Sequence, residues 1–321
     1  MSAKRNEPRQ YENVDASPVK SFFVTMLTRD ISLSDAILDL LDNCVDGILR
    51  KKKRATGKTP YNGFFAEIKF DSDTFEIHDN CGGIPWSLHD YAFRMGRPRD
   101  RQDRRMGTVG TYGIGMKRAI FKIGRECLIS TKCDDDNYEV EISPKWLDEE
   151  GNWDIPVEPA RESMTEDGTT IVVGMLHSDI KSRLGHDVAS FEAELTRKIE
   201  THYAFIIAKG FRVLVNGNPV TAKPTQLVFY EGPKKKGIRP YLFKAKVEGV
   251  EVFLAVGFTR PIPSQQEVLD DQEVARYSSL DAGWTVVCND RAILYCDRTE
   301  VTGWGEAGVP QYHQQFIAIV V

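Results

Sequence analysis

The residues with the clearest chemical potential lie in the stretch 33–50, which reads LSDAILDLLDNCVDGILR. On a helix, Asp39, Asn43 and Asp46 share one narrow stripe, because they are spaced by four and then three residues. Apolar side chains form the opposite side and widen it, so the helix is predicted to be largely buried, with polar groups that need partners. A metal ion with bound phosphates would supply those partners. Taken alone, the segment also fits an amphipathic surface helix with a solvated polar face.

A second candidate is the carboxylate of Asp79, which ends a predicted strand and precedes the sequence Asn80-Cys81-Gly82-Gly83. Paired glycines let a backbone approach a flat ligand closely, and a carboxylate can accept a hydrogen bond from an exocyclic amine. These properties fit recognition of a nucleotide base. The alternative is an ordinary structural turn, for which such a sequence is common.

The third candidate is the glycine-rich run MGTVGTYGIGMKRAIFKIG, which begins at Met106 and leads into a helix predicted to start near Met116. Backbone amides directed from glycines at a helix N-terminus form an anion site, and Lys117 adds a positive charge. The run is not a Walker loop, since no G-K-[ST] closes it, and it does not fit a dinucleotide motif rising directly from a strand. The preceding residues 94–105 include six arginines, which predicts a cationic loop beside the anion site.

The helices around these candidates have recognisable starts. Ser17 and Pro18 resemble an N-cap followed by proline at the first helical position, which predicts a short helix reaching residue 27. The helix that carries Asp39 can be capped by Ser32 or by Ser34. Both predicted helices, the one that reaches residue 27 and the one that carries Asp39, precede the strand that ends at Asp79.

Alternating patterns and turn residues predict the strands of the remaining chain. Residues 187–208 predict one helix, because apolar side chains recur every fourth position. Residues 259–280 are irregular and acidic. The predicted strands and hairpins are 64–70 with 74–78, 127–132, 138–143, 168–173, 211–220, 241–258 and 283–296.

The composition is that of an ordinary globular protein and narrows the function only slightly. The chain has 321 residues, 41% hydrophobic and 28% charged, with a formal net charge of −5. This charge argues against general nucleic-acid affinity and leaves room for a local basic patch. The six cysteines show no metal-ligand spacing, which predicts reduced thiols and a cytoplasmic location. Without a long apolar run or a signal-peptide core, no membrane partner is expected.

In this order and spacing, the three candidate stretches resemble the GHKL superfamily of ATPases, which includes gyrase B, MutL, the large heat-shock ATPase chaperone, histidine kinases and MORC proteins. MORC-type and MutL-type members are the most similar. Two positions depart from the family pattern: an aspartate stands at 39 instead of glutamate, and Cys81 replaces a glycine. The matched residues are Asp39, Asn43, Asp46 and Gly47 in the first box, Asp79 to Gly83 in the second, Gly110 to Lys117 in the third, and the late pair Gly168-Thr169.

The resemblance implies an α+β fold of the Bergerat type, an α/β sandwich in which a mixed sheet carries helices on one face. ATP and Mg²⁺ are the implied ligands and lie between sheet and helices. Asn43 would coordinate the metal, and Asp79 would accept the adenine amino group. The other implied ATP contacts are Asp46, Gly83, Ile84, Gly110, Thr111, Tyr112, Gly113, Ile114, Gly115, Met116, Lys117 and Thr169.

The aspartate at position 39 bears on the activity. In hydrolysing members of the family, the glutamate at this position orients or deprotonates the attacking water, and such assistance contributes roughly 10²–10⁴ in rate. Asp39 reaches about 1.5 Å less far, so the resemblance implies slow hydrolysis with Asp39 as the catalytic residue and Asp42 as a second candidate. The alternative is a nucleotide-gated binding module with little or no hydrolysis.

The resemblance also divides the chain and suggests partners. A second copy is the expected partner, in an ATP-dependent homodimer that clamps another molecule; duplex DNA is one candidate and a further protein another. The histidine-kinase branch is disfavoured, since it carries a phosphoacceptor domain upstream. The predicted parts are a flexible arm of residues 1–16, a GHKL ATP-binding domain of residues 17–180 and a transducer-like α/β domain of residues 181–321.

The last predicted strand, residues 316–321, is apolar and resembles an unfinished strand. In relatives, a lysine from a transducer loop reaches the γ-phosphate. The sequence therefore predicts a fragment whose switch lysine lies beyond residue 321. An ordinary strand that closes a sheet is the alternative interpretation.

Overall fold

The computed structural model describes residues 19–52, 57–96, 113–229, 238–260, 266, 281–304 and 317–321, and the fold is given for these residues. The helices in this part are α1 (Lys20–Thr28), α2 (Leu33–Lys52), α3 (His89–Phe93), α4 (Gly115–Ile123), α5 (Pro144–Asp148), α6 (Ser178–Gly185), α7 (Val188–His202) and α8 (Ala204–Ala208). The strands are β1 (Phe65–Phe70), β2 (Phe75–Asp79), β3 (Gly124–Cys133), β4 (Asp136–Ile142), β5 (Val157–Pro159), β6 (Gly168–Leu176), β7 (Arg212–Val215), β8 (Asn218–Pro219), β9 (Tyr241–Val247), β10 (Val250–Phe258), β11 (Gly283–Cys288), β12 (Arg291–Asp297) and β13 (Ile317–Val320).

These strands form two mixed sheets, which confirms the predicted α+β class. The first sheet has the order β5-β4-β3-β6-β2-β1-β7-β8, and the second has the order β12-β11-β13-β10-β9. The pairs β1/β7 and β11/β13 are parallel, while the other pairs, such as β1/β2 and β2/β6, are antiparallel. The strand 317–320 is a central strand of the second sheet, paired on both sides.

A row of buried β-branched residues crosses the first sheet and explains why its helices lie where they do. On the other face of β1, Glu67 and Lys69 form an ion pair of 3.0 Å. One face of the sheet is therefore apolar, and its side chains join the same core as those of α2, α4 and α7. The row runs in register through Val215, Ile68, Ile77, Ile171, Ile129 and Val140, each at most 6% exposed.

Helix α2 is the central helix of this core, as its apolar pattern predicts. Ile37, Leu41 and Val45 are fully buried, and the helix contacts both α4 and α7. Ser32 caps it, because the Ser32 hydroxyl accepts the Asp35 amide at 3.1 Å. Of the two predicted caps, Ser32 is therefore the one used. The other candidate, the Ser34 hydroxyl, instead donates to Glu194 at 2.8 Å.

Of two local expectations, one falls outside the described residues and the other differs from the structure. Helix α1 begins at Lys20 after Val19, which makes no side-chain cap bond; the predicted start at residues 17–18 lies outside the described residues. The single helix predicted for 187–208 is divided at Tyr203 into α7 and α8. The reason is tertiary: the buried Tyr203 hydroxyl donates to the Leu38 carbonyl oxygen at 2.8 Å and to the Asp42 carboxylate.

The hairpin 212–219 joins the first sheet, through the parallel pairing of β7 with β1. Its turn, Asn216-Gly217, has positive φ at both residues, as expected for such a hairpin. The boundary at residues 180/181 stays a prediction, while the hydrogen-bonded first sheet extends across it to Pro219. Among the described helices, none combines the length and the apolar character that crossing a membrane requires.

Candidate nucleotide site

The polar stripe of α2 forms as the sequence predicts. The Asp39 side chain is 24% exposed, Asn43 is exposed and Asp46 is buried. The Asn43 amide nitrogen donates to the Asp39 carbonyl oxygen at 2.9 Å. This contact directs the amide group, so Oδ1 is the Asn43 atom that could coordinate a cation.

Asp39 pairs with an arginine that the motif comparison does not single out. Arg118 on α4 donates to Asp39 Oδ2 from Nη2 at 2.5 Å and from Nε at 3.2 Å. Partial burial raises the pKa of Asp39, and the Arg118 guanidinium opposes that rise. The only sequence signal for Arg118 is its place next to Lys117, in the first turn of the predicted helix.

Helix α4 begins directly against Asp39. A Cβ placed on Gly115, the first residue of α4, would lie 3.3 Å from Asp39 Cβ and 3.4 Å from Oδ2. Gly113 has a φ of +66°, and Ile114 precedes the helix as its N-cap. The predicted base on α2 and the predicted anion site at the N-terminus of α4 are therefore neighbours.

Lys117 has a different environment from the one expected for a phosphate ligand. It is only 3% exposed, and its ammonium group donates to the Ala92 carbonyl oxygen at 2.6 Å and to the Gly113 carbonyl oxygen. Met116 beside it is buried as well. In this arrangement Lys117 links Gly113, just before α4, to Ala92 of α3, and its direct contact with phosphate stays a prediction. Of the other third-box residues, Gly110, Thr111 and Tyr112 lie outside the described residues, as do the arginines of 97–105.

Asp79 lies at the end of β2 in a buried environment, 7% exposed. Its Oδ1 accepts the Cys81 amide at 2.7 Å, and its Oδ2 accepts the Cys44 thiol at 3.4 Å. Burial raises the pKa of the Asp79 carboxyl group. Cys44 belongs to the apolar side of α2 in the sequence, and its contact with Asp79 becomes visible only in the fold.

Glycines allow the segments around Asp79 to approach one another. A Cβ on Gly83, whose φ is +64°, would lie 1.9 Å from the Lys132 carbonyl oxygen. A Cβ on Gly168 would lie 2.0 Å from the Asp79 carbonyl oxygen. A Cβ on Gly47 would lie 2.6 Å from the Cys81 carbonyl oxygen. Cys81 itself is not among the residues with positive φ, so it replaces the family's glycine without left-handed strain.

Thr131 joins the remaining predicted base contacts. Its hydroxyl accepts the Ile84 amide at 2.9 Å, donates to the Gly168 carbonyl oxygen at 3.1 Å and lies 3.3 Å from the Thr169 hydroxyl. Thr169 is the residue paired with Asp79 between β6 and β2. Thr169 therefore lies beside Asp79, and Ile84 is linked to Thr169 through Thr131, while their contact with a base stays a prediction. Thr131 is an addition that the motifs do not mark.

The three sequence stretches thus meet around α2. Asp79 contacts α2 at Cys44, and the start of α4 lies against α2 at Asp39. Cys44 and Asp39 lie about 8 Å apart along the axis of α2. One end of this site offers a buried hydrogen-bond acceptor for an amine. The other end offers a helix N-terminus for an anion, with a carboxylate and an amide oxygen beside it.

Residues 31–170 match the family of histidine kinase-, DNA gyrase B- and HSP90-like ATPases. With the mixed sheet and the site around α2, this match identifies residues 31–170 as a domain of the GHKL superfamily. The chain is also similar to MORC family CW-type zinc finger protein 1 of Mus musculus, at 24% identity over 221 residues. That alignment covers 63% of this chain and 21% of the mouse protein. Membership of the superfamily supports ATP binding.

Proposed function

We propose that this protein binds ATP with Mg²⁺ and hydrolyses it slowly, with Asp39 as the residue that orients or deprotonates water. The observation that carries the proposal is the contact between Asp39 and the first turn of α4. A general base has to lie beside the group that is attacked, and the N-terminus of α4 is where a terminal phosphate would be held.

The base end of the site fits adenine. Asp79 is buried, and backbone and thiol donors fix its two oxygens in place. Gly83 and Gly168 bring backbone close on both sides, where any larger residue would clash. Asp79 would accept the adenine amino group in this cradle, with Thr169 and Ile84 beside it.

Asn43 fits the metal. Mg²⁺ in proteins is usually held by one or two protein oxygens together with substrate phosphates and water, so a single amide oxygen on α2 is a suitable protein ligand. When bound, the ion neutralises phosphate charge. Asn43 contributes a fixed amide, because its nitrogen is held by the Asp39 carbonyl oxygen.

The Asp39–Arg118 pair supports a slow rate. Contact with Arg118 opposes the rise in the pKa of Asp39 that burial causes. The same contact occupies an oxygen that would otherwise accept a proton from water. A shorter side chain with one oxygen engaged is a weaker base than a free glutamate.

The decisive experiment measures Mg-ATP turnover and ATP binding for the protein and its Asp39→Asn variant. We expect measurable turnover that falls roughly 10²–10⁴-fold in the variant, while ATP binding is retained. Asp73→Asn is the matched control, because Asp73 is exposed at the far turn of the β1–β2 hairpin. Equal turnover in Asp39→Asn and wild type would contradict the assignment of Asp39.

The Asp39–Arg118 contact also favours a second candidate, a nucleotide-gated binding module that holds ATP without hydrolysis. In that case ATP binds to both proteins and turnover is absent from both. The same experiment therefore separates the two functions.

We further propose that ATP binding promotes a homodimer that clamps a partner, with duplex DNA as the candidate. The support is the similarity to GHKL and MORC-type proteins, together with clusters of lysine and arginine on a chain whose net charge is −5. Such clusters allow local contact with phosphates, and that contact weakens steeply as salt rises.

A further inference from the structure

The turn between β11 and β12 reaches the helices that cover the first sheet. This hairpin tip, residues 289–292, is held at several points. The Asp290 carboxylate accepts the Tyr61 hydroxyl at 3.0 Å and the Lys209 ammonium at 2.5 Å. The Ala292 carbonyl oxygen accepts His202 Nδ1 at 2.6 Å. The second sheet is therefore fixed to the layer that contains α7 and α8.

Arg291 in the hairpin tip extends this contact to α2. It is only 9% exposed, and its Nε donates to Asp42 Oδ1 at 2.8 Å. Its guanidinium lies 4.4 Å from the centre of the Tyr203 ring, and the Tyr203 hydroxyl donates to the same Asp42 carboxylate. Asp42 is therefore held from outside α2 by two side chains, one of them from the second sheet.

Asp42 has a special place on α2. It comes three residues after Asp39 and directly before Asn43. Residues three apart on a helix are surface neighbours, and the hydrogen-bonded turn between them is stiff. An anchor at Asp42 therefore fixes how far α2 can rotate about its axis, and with it the direction of the Asp39 and Asn43 side chains.

We propose that Arg291 is a positioning residue, through which the second sheet sets the orientation of the polar stripe of α2. The proposal rests on the proposed function for what that stripe does. Arg291 itself contacts Asp42, Tyr203 and Ala292, and Asp42 is the one of these three that lies on α2, so the contact with α2 is made through Asp42. A change in the Arg291–Asp42 contact would in this way change the rate at the ATP site without changing the residues that hold the base.

The test compares Arg291→Gln, Arg291→Lys, Asp42→Asn and the double variant Asp42→Asn with Arg291→Gln. We expect Arg291→Gln to lower kcat roughly 10- to 100-fold, the loss associated with a displacement of about 1 Å, while KM for ATP changes less than about threefold. Arg291→Lys keeps the charge and should recover part of kcat. The double variant should lose no more than the worse single variant, because both act through one contact.

Arg298→Gln is the matched control, since Arg298 is exposed just after β12. Its kcat should equal that of the wild type. An Arg291→Gln protein with wild-type kcat overturns the proposal, and so do losses that are fully additive with those of Asp42→Asn. Should Arg291→Gln fail to fold, Arg291→Lys decides: a wild-type kcat overturns the proposal, and a lower kcat at an unchanged unfolding midpoint supports it.

Hydrogen exchange separates this proposal from the proposed function. Faster exchange of the α2 amides at residues 39–43 in Arg291→Gln supports the positioning role, and unchanged exchange overturns it. This readout needs no ATP. A wild-type protein that neither binds nor hydrolyses ATP overturns the proposed function, and the exchange result then still decides whether Arg291 positions α2.

Discussion

The Asp39 carboxylate lies against the start of α4, where it can act on a ligand, and also forms an ion pair with Arg118 from the same helix. Burial raises the pKa of Asp39, and the arginine is the strongest influence in the opposite direction. The protonation of this residue is therefore set by burial and by its charged neighbours, among which Arg118 has the largest effect.

Replacement of Arg118 by methionine is expected to move the acidic limb of the pH–rate profile to higher pH. Without the guanidinium, the pKa of Asp39 rises further above its ordinary value of 3.8, because burial is then less opposed. A general base works only when deprotonated, so activity is lost at a higher pH as the solution is acidified. The measurement is kcat/KM for ATP across pH in both proteins.

Arg125→Met is the control for that experiment, because Arg125 is an exposed arginine that pairs with Asp148. Its acidic limb should coincide with that of the wild type. A limb that stays in place or moves to lower pH in Arg118→Met would show that Asp39 does not control the reaction.

At the scale of elements, the close meeting of β2, β3 and β6 around Gly83 predicts a large cost for any side chain there. Gly83→Ala should destabilise the protein by roughly 3 kcal/mol or more, since the left-handed backbone alone costs about 1–2 kcal/mol and the added Cβ would overlap the Lys132 carbonyl oxygen. The measurement is the free energy of unfolding in urea.

Gly63→Ala is the matched control for the backbone term. Gly63 also has a positive φ, +89°, but nothing lies within 4 Å of an added Cβ. Its cost should stay near the backbone value of about 1–2 kcal/mol. Equal costs at the two glycines would mean that close approach at Gly83 contributes nothing.

Local patterns predicted most elements because the forces that form them are local. The stripe of α2 and the hairpins predicted for 211–220 and 241–258 follow from spacing and backbone preference, and the turns of these hairpins, Asn216-Gly217 and Glu248-Gly249, have positive φ. The division of α7 from α8 could not be predicted, because the apolar spacing continues through Tyr203. Its cause is a pair of hydrogen bonds to α2, 161 and 165 residues away in the chain.

In the candidate site as well, local patterns predict some residues, and tertiary packing decides others. Asp39, Asn43, Asp79 and Gly83 follow from motif spacing, and the structure places them around α2. The partners that tune them, such as Arg118 and Cys44, depend on which faces of two elements meet. Side-chain partners across elements are set by tertiary packing, which a single sequence does not display.

At the scale of the whole molecule, we expect a non-hydrolysable ATP analogue to convert the monomer into a dimer, with ADP as the control. The measurement is mass by light scattering, and an unchanged monomer mass with the analogue would contradict the dimer for this chain.

Duplex DNA added to the same samples tests the proposed clamped partner. Binding of the DNA should weaken as salt rises, since phosphate contacts release counterions. Indifference to DNA at low salt would contradict that part of the proposal.

The parallel pairing of β1 with β7 has a consequence for how the chain is made. Phe65 pairs with Arg212, so during synthesis β1 leaves the ribosome long before the strand that covers its free side. Until then β1 presents an open edge, and open edges attract other strands. A nascent chain of this protein therefore passes through a stage in which β1 is vulnerable to aggregation, and the arrival of β7 ends that stage.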